Sequence, residues 1–124
     1  MIMPGMDFSI SERGESSGVT VFLFRGDITA AHGRTLRAFF VGLPAIGVHK
    51  VAIDMSGVNY MASVGIGELS HAHQLLGDHQ GGLALAALTP RIRELLKLSR
   101  MDTILTIRET VDEAVATLAA PPAA

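Results

Sequence analysis

The strongest hydrophobic signal lies at Val19-Thr20-Val21-Phe22-Leu23-Phe24, a β-branched and aromatic run that predicts a strand. Before it, Phe8 and Ile10 stand between polar neighbours and predict an edge strand over Asp7 to Ser11. Glu12 to Gly18, rich in glycine, serine and charge, predicts a turn, so the chain opens on a hairpin. Gly26-Asp27-Ile28-Thr29 breaks the second strand and offers Thr29 as a helix cap. Leu36, Phe39, Phe40 and Leu43 then recur at i, i+3, i+4 and i+7, one stripe of a helix that Pro44 and Gly47 end. Lys50 to Asp54 predicts a strand whose apolar core is Val51-Ala52-Ile53. Glu68 to Gly77 predicts a helix with Ile66, Leu69, His73 and Leu76 on one face, and Ser63 placed to cap its start.

Gly81-Gly82 leads into a buried strand over Leu83 to Ala87. Thr89-Pro90 opens the next helix, a cap residue followed by proline at the first helical position, with Ile92, Leu95, Leu96 and Ser99 inward. Ile104 to Ile107 predicts a short strand. Thr110 and Glu113 form a capping box ahead of the stripe Val111, Ala114, Val115 and Leu118. The order is ββαβαβαβα. Strands alternating with helices predict a single α/β domain over residues 7–118, its mostly parallel sheet opened by a hairpin and packed with helices. Residues 1–6 are expected as a loose leader and 119–124 as a frayed tail.

Composition narrows the function classes. The chain has 124 residues, 48% of them hydrophobic, and a formal net charge of −2. That charge provides no basic field for nucleic acid, which is not expected as a partner. The absence of cysteine removes disulfides, thiolate metal sites and cysteine nucleophiles. No apolar run reaches the roughly 18 residues of a spanning helix, and the first residues lack the features of a secretory signal. A cytoplasmic protein without membrane insertion is expected.

Each candidate for chemistry has a simpler account. Gly65-x-Gly67-x-x-Ser70 imitates part of a dinucleotide fingerprint, but Met55 to Ala62 separates it from the preceding strand, and no acid ends the next one. Its glycines read as close-packing positions. His71 and His73 point about 200° apart on a helix and cannot chelate together; with His79 they read as solvated or interface histidines, and no metal or cofactor is expected. Asp54 reads as a turn carboxylate accepting backbone N–H groups. Arg91, Arg93, Lys97 and Arg100 form a basic strip around one helix, a solvated face or a dock for an acidic partner. No pairing of nucleophile and base, or of two carboxylates, implies catalysis, so no enzyme is expected.

Five features resemble the STAS domain family, and within it the small anti-sigma factor antagonists: the Arg25-Gly26-Asp27-Ile28 turn, Asp54-Met55-Ser56-Gly57-Val58, Ser63-x-Gly65-Ile66-Gly67, Thr89-Pro90-x-Ile92-x-x-Leu95-Leu96, and Leu98-Ser99-x-Met101-Asp102. The resemblance implies a protein-binding switch. Its partner would be an anti-sigma factor that is also a serine kinase, which phosphorylates Ser63, and a serine phosphatase would reset it. Asp27, Met61, Ala62, Val64, Gly65, Ile66 and Gly67 would surround the docking surface. The sequence departs from the family pattern where Ala62 replaces an aspartate, Val64 a serine or threonine, Thr29 an acid, and Arg100 a glycine that takes the left-handed conformation at a helix end. A scaffold or transporter-accessory STAS subunit, which needs the docking face without the phosphate, stays open beside the switch. So do small-ligand binding and self-association.

Overall fold

A computed structural model of the protein describes residues 8–119, beginning with the expected hairpin in a longer form. Strand β1 (Phe8–Ser16) pairs antiparallel with β2 (Val19–Gly26), and Ser16 faces Val19 across a two-residue turn. Ser17 and Gly18 both have positive φ, 56° and 80°, the backbone that matches hairpin twist. The stretch expected as a turn is therefore largely strand. Its polar side chains suit an exposed sheet edge, and a bulge between Glu12 and Gly14 absorbs the extra residue.

Thr29 caps a 3-10 turn over Ala30–His32 rather than the helix itself, and its N–H donates to Nδ1 of His32 at 2.9 Å. Helix α1 (Gly33–Gly42) follows, burying Leu36, Phe39 and Phe40, with Leu43 buried just beyond its end. Strand β3 (Lys50–Gly57) outruns its expected end at Asp54; the Asp54 carboxylate still accepts the Ser56 N–H, at 2.9 Å. The remaining elements are α2 (Ser63–Asp78), β4 (Gly82–Ala86), α3 (Pro90–Leu98), β5 (Thr106–Arg108) and α4 (Val111–Ala119). β5 is shorter than expected because Met101–Thr103 forms a 3-10 turn and Ile104 stays exposed. Ser99 does not face the core: it is exposed, and its hydroxyl donates to the carbonyls of Leu95 and Leu96 at the helix end. Arg100 takes the left-handed conformation despite its side chain, at φ 61°.

The sheet order is β1-β2-β3-β4-β5, with every pair after the hairpin parallel. Each parallel step moves the same way along the sheet, so right-handed crossovers place α1, α2 and α3 on one face. Strand alternation agrees. Val51, Ile53, Met55, Leu83 and Leu85 join the large core under those helices, whereas Ala52, Ala84 and Ala86 turn to the opposite face with Val19 and Ala114 of α4. The alanines let α4 lie close on the sheet. This is the single α/β domain the element order predicts. The expected leader and the tail from 120 on lie outside the described residues. Among those described, no helix is long and apolar enough to cross a membrane.

Candidate functional site

In parallel sheets, loops beyond the carboxyl ends of the strands form the usual place for a site. Here two such loops are stitched together. The Ile28 N–H donates to the Tyr60 carbonyl at 3.0 Å, and the Ala62 N–H donates to the Ile28 carbonyl at 2.8 Å. Those bonds form an isolated parallel bridge between Ile28 and Met61. The bridge brings the exposed Asp27, beside Ile28, to the loop that enters α2, 31 residues or more further on.

Ser63 is not the helix cap. That position belongs to Ala62, whose backbone is extended (φ −70°, ψ 160°) and whose carbonyl accepts the Gly65 N–H at 2.9 Å. Ser63 is the first helical residue and is exposed, and among the described residues its hydroxyl makes no hydrogen bond. The shift has a physical cause: the bridged, extended chain ends at Ala62, so helical geometry begins at Ser63, one residue earlier than a capping serine requires. A serine that caps nothing stands beside free N–H groups and the positive end of the helix dipole.

The other expected docking residues separate into two layers. Met61, Gly65 and Ile66 are buried, Ala62 and Val64 are half-buried, and Asp27, Ser63 and Gly67 are exposed. Gly65 is where α2 meets the bridge, since a Cβ there would stand 2.8 Å from both Ile28 and Met61 side-chain carbons. Gly67 differs: a Cβ there meets nothing within 4 Å. It lies one turn beyond Ser63, so the two present a flat strip on the same face of the helix. The Arg37 guanidinium ties α1 to α2 by pairing with Glu68 at 3.0 Å and by a hydrogen bond to His71.

Among the described residues no cluster of three or more His, Cys, Asp or Glu could hold a metal ion. His71 engages Arg37, and Nδ1 of His79 lies 2.9 Å from the Leu75 carbonyl. One surface feature escaped the periodicity reading: Tyr60, Met61, Ile92, Leu95 and Leu98 enclose a groove beside the loop that leads to Ser63. Its one signal in the sequence is Leu98, an apolar residue outside the inner stripe of α3.

Comparison with known proteins identifies the family and the fold. The sequence profile of the STAS domain matches residues 12–114. BtrV of Bordetella bronchiseptica, named an anti-sigma factor antagonist, is 24% identical over 99 residues, which span 80% of this chain and 85% of that protein. The structure of an anti-sigma factor antagonist from Mycobacterium paratuberculosis superposes with a TM-score of 0.74 at 24% identity, covering 95% of this chain and 98% of that one. The anti-sigma factor antagonist SpoIIAA, from Bacillus, gives a TM-score of 0.72 at 16% identity in its unphosphorylated form, covering 87% of this chain and 94% of that one. At such identities the solved structures establish the fold.

Proposed function

Because this chain belongs to the STAS domain family, we propose that it is an anti-sigma factor antagonist-like switch that binds an anti-sigma factor and is regulated by phosphorylation of Ser63. The observation that carries the reading is the exposed Ser63 hydroxyl, which makes no cap bond at the first position of α2. Serine at a helix start is ordinarily explained by capping. That explanation does not apply once Ala62 holds the cap position. The relationship to BtrV and the likeness to SpoIIAA, which is known in a phosphorylated form, support the same reading.

The physics suits a reversible switch. A phosphate adds about −1.5 to −2 charge. At the first turn of a 16-residue helix it meets free N–H groups and a favourable dipole, so the fold accepts it. A partner seated over Ser63 and Gly67 would instead have to bury a dianion. Binding is lost while folding is kept. The kinase in this reading is the anti-sigma factor itself, and a serine phosphatase restores the binding form.

The test is incubation with a kinase-type anti-sigma factor from the same genome and Mg-ATP, with phosphate located by mass spectrometry. Phosphate is expected on Ser63 and lost in Ser63→Ala, and Ser63→Asp should weaken the complex by roughly tenfold or more. No phosphate on Ser63, under conditions where the kinase modifies a known substrate, would sink the switch. Ala62 favours one second reading, since the family's usual aspartate beside the serine is missing. In that reading the protein is a STAS scaffold or accessory subunit that docks without being phosphorylated, and partner binding then persists with no phosphate transfer.

A further inference from the structure

The groove beside the loop that enters α2 puts a hole and a knob on one surface. It encloses about 370 Å³, a size at the small end of binding pockets, and the buried Met61 and Ile92 line it. Leu98 is the knob, the last residue of α3 and 74% exposed. Arg91, Glu94, Leu95 and Leu98 all line the groove at i, i+3, i+4 and i+7, so one stripe of α3 forms a wall of it. Tyr60, from the loop, is 49% exposed.

The charges on that stripe select the occupant. The groove is lined by one cation, Arg91, and one acid, Glu94, both exposed. Among the described residues neither makes an ion pair. A partner segment of a single sign gains from one of these charges and is repelled by the other. A surface that meets its own copy about a two-fold axis offers both signs to both signs. The apolar parts match in the same way, since each copy carries one exposed leucine and one groove.

We propose that the groove receives a second copy of this chain, in a two-fold dimer whose α3 helices pack antiparallel. An axis through the middle of the stripe sets Arg91 of each copy level with Leu98 of the other. Glu94 then lies four residues, about 6 Å of helix rise, from Arg91 of the other copy, within the reach of an arginine side chain. Each Leu98 comes to the Arg91 end of the opposite groove. The contact is small, so the dimer is a weak one. It stands apart from the role of Ser63, because its readout is the association of the purified chain alone.

The experiment is sedimentation velocity on the full chain from about 1 to 500 µM, a range that brackets a weak dimer. Circular dichroism with thermal unfolding checks that each variant folds. The wild type is expected to dimerise, and Leu98→Glu to weaken the dimer by roughly tenfold or more. Arg91→Glu and Glu94→Arg, each alone, set like charges against each other and should weaken it several-fold. An equimolar mixture of those two variants should associate again, because one then offers only acids and the other only cations. A dimer that Leu98→Glu leaves within about twofold of the wild type lies on another face, and single variants that gain nothing on mixing exclude the two-fold pairing. Either result overturns the proposal. So does a wild-type chain that stays monomeric throughout; if Leu98→Glu then loses affinity for a purified anti-sigma factor, the groove belongs to that partner instead.

Discussion

Ser63 and Ala62 exchange the roles their residue types suggest. The better capping residue stands inside the helix with a free hydroxyl, and the poorer one holds the cap position with extended backbone. Ala62→Asp should therefore stabilise the protein by about 1 kcal/mol, raising the unfolding temperature by about 4 °C. An unchanged transition would mean that the first N–H groups of α2 already have other partners. Gly67 is the second residue that stability does not explain, because nothing fills the space where its Cβ would be. Gly67→Ala should add roughly 0.8–1 kcal/mol in denaturant unfolding and weaken the proposed complex with an anti-sigma factor. A stabilised variant with full affinity would show that no partner backbone approaches that strip.

At the scale of elements, the apolar stripes of α1, α2 and α4 lie where their periodicity places them, and the departures come at ends and turns. β1 runs through residues that read as a turn, because an exposed edge strand tolerates polar side chains and a bulge can restore its register. The end of α3 departs in another way. Arg100 holds a left-handed backbone at φ 61°, a conformation that costs a side-chain-bearing residue roughly 1–2 kcal/mol. Arg100→Gly should raise the urea midpoint by an amount equivalent to about 1 kcal/mol, with an unchanged slope. A fall in the midpoint would show that the Arg100 side chain contributes more than its backbone costs.

For the whole molecule, the two faces of the sheet are packed by different rules. Under α1, α2 and α3 the strands offer Val, Ile, Leu and Met; under α4 they offer alanine. The thin alanine layer should tolerate enlargement poorly. Ala84→Leu, fully buried against α4, is expected to destabilise by about 1–3 kcal/mol through overpacking. Thermal unfolding checks it, and a neutral result would mean that α4 rides over the sheet loosely. The site belongs to this scale too. The loop that carries Asp27 meets the loop that leads to Ser63 only because β2 and β3 are parallel neighbours whose exit loops bridge at Ile28 and Met61.

The sequence by itself determined the element order, the apolar stripes, the caps at Thr89 and Thr110, and the family resemblance that singled out Ser63. All of these are local, since periodicity and capping depend on residues within a turn or two of one another. Tertiary structure decided that Met61, Gly65 and Ile66 lie beneath the candidate surface while Asp27, Ser63 and Gly67 form it. It also decided that Ala62 rather than Ser63 takes the cap, because two hydrogen bonds to Ile28, more than thirty residues back along the chain, hold the entry to α2 extended. The groove between Tyr60 and Leu98 has the same origin. Spacing along one segment fixes which side chains point together, but not which distant segment lies against them.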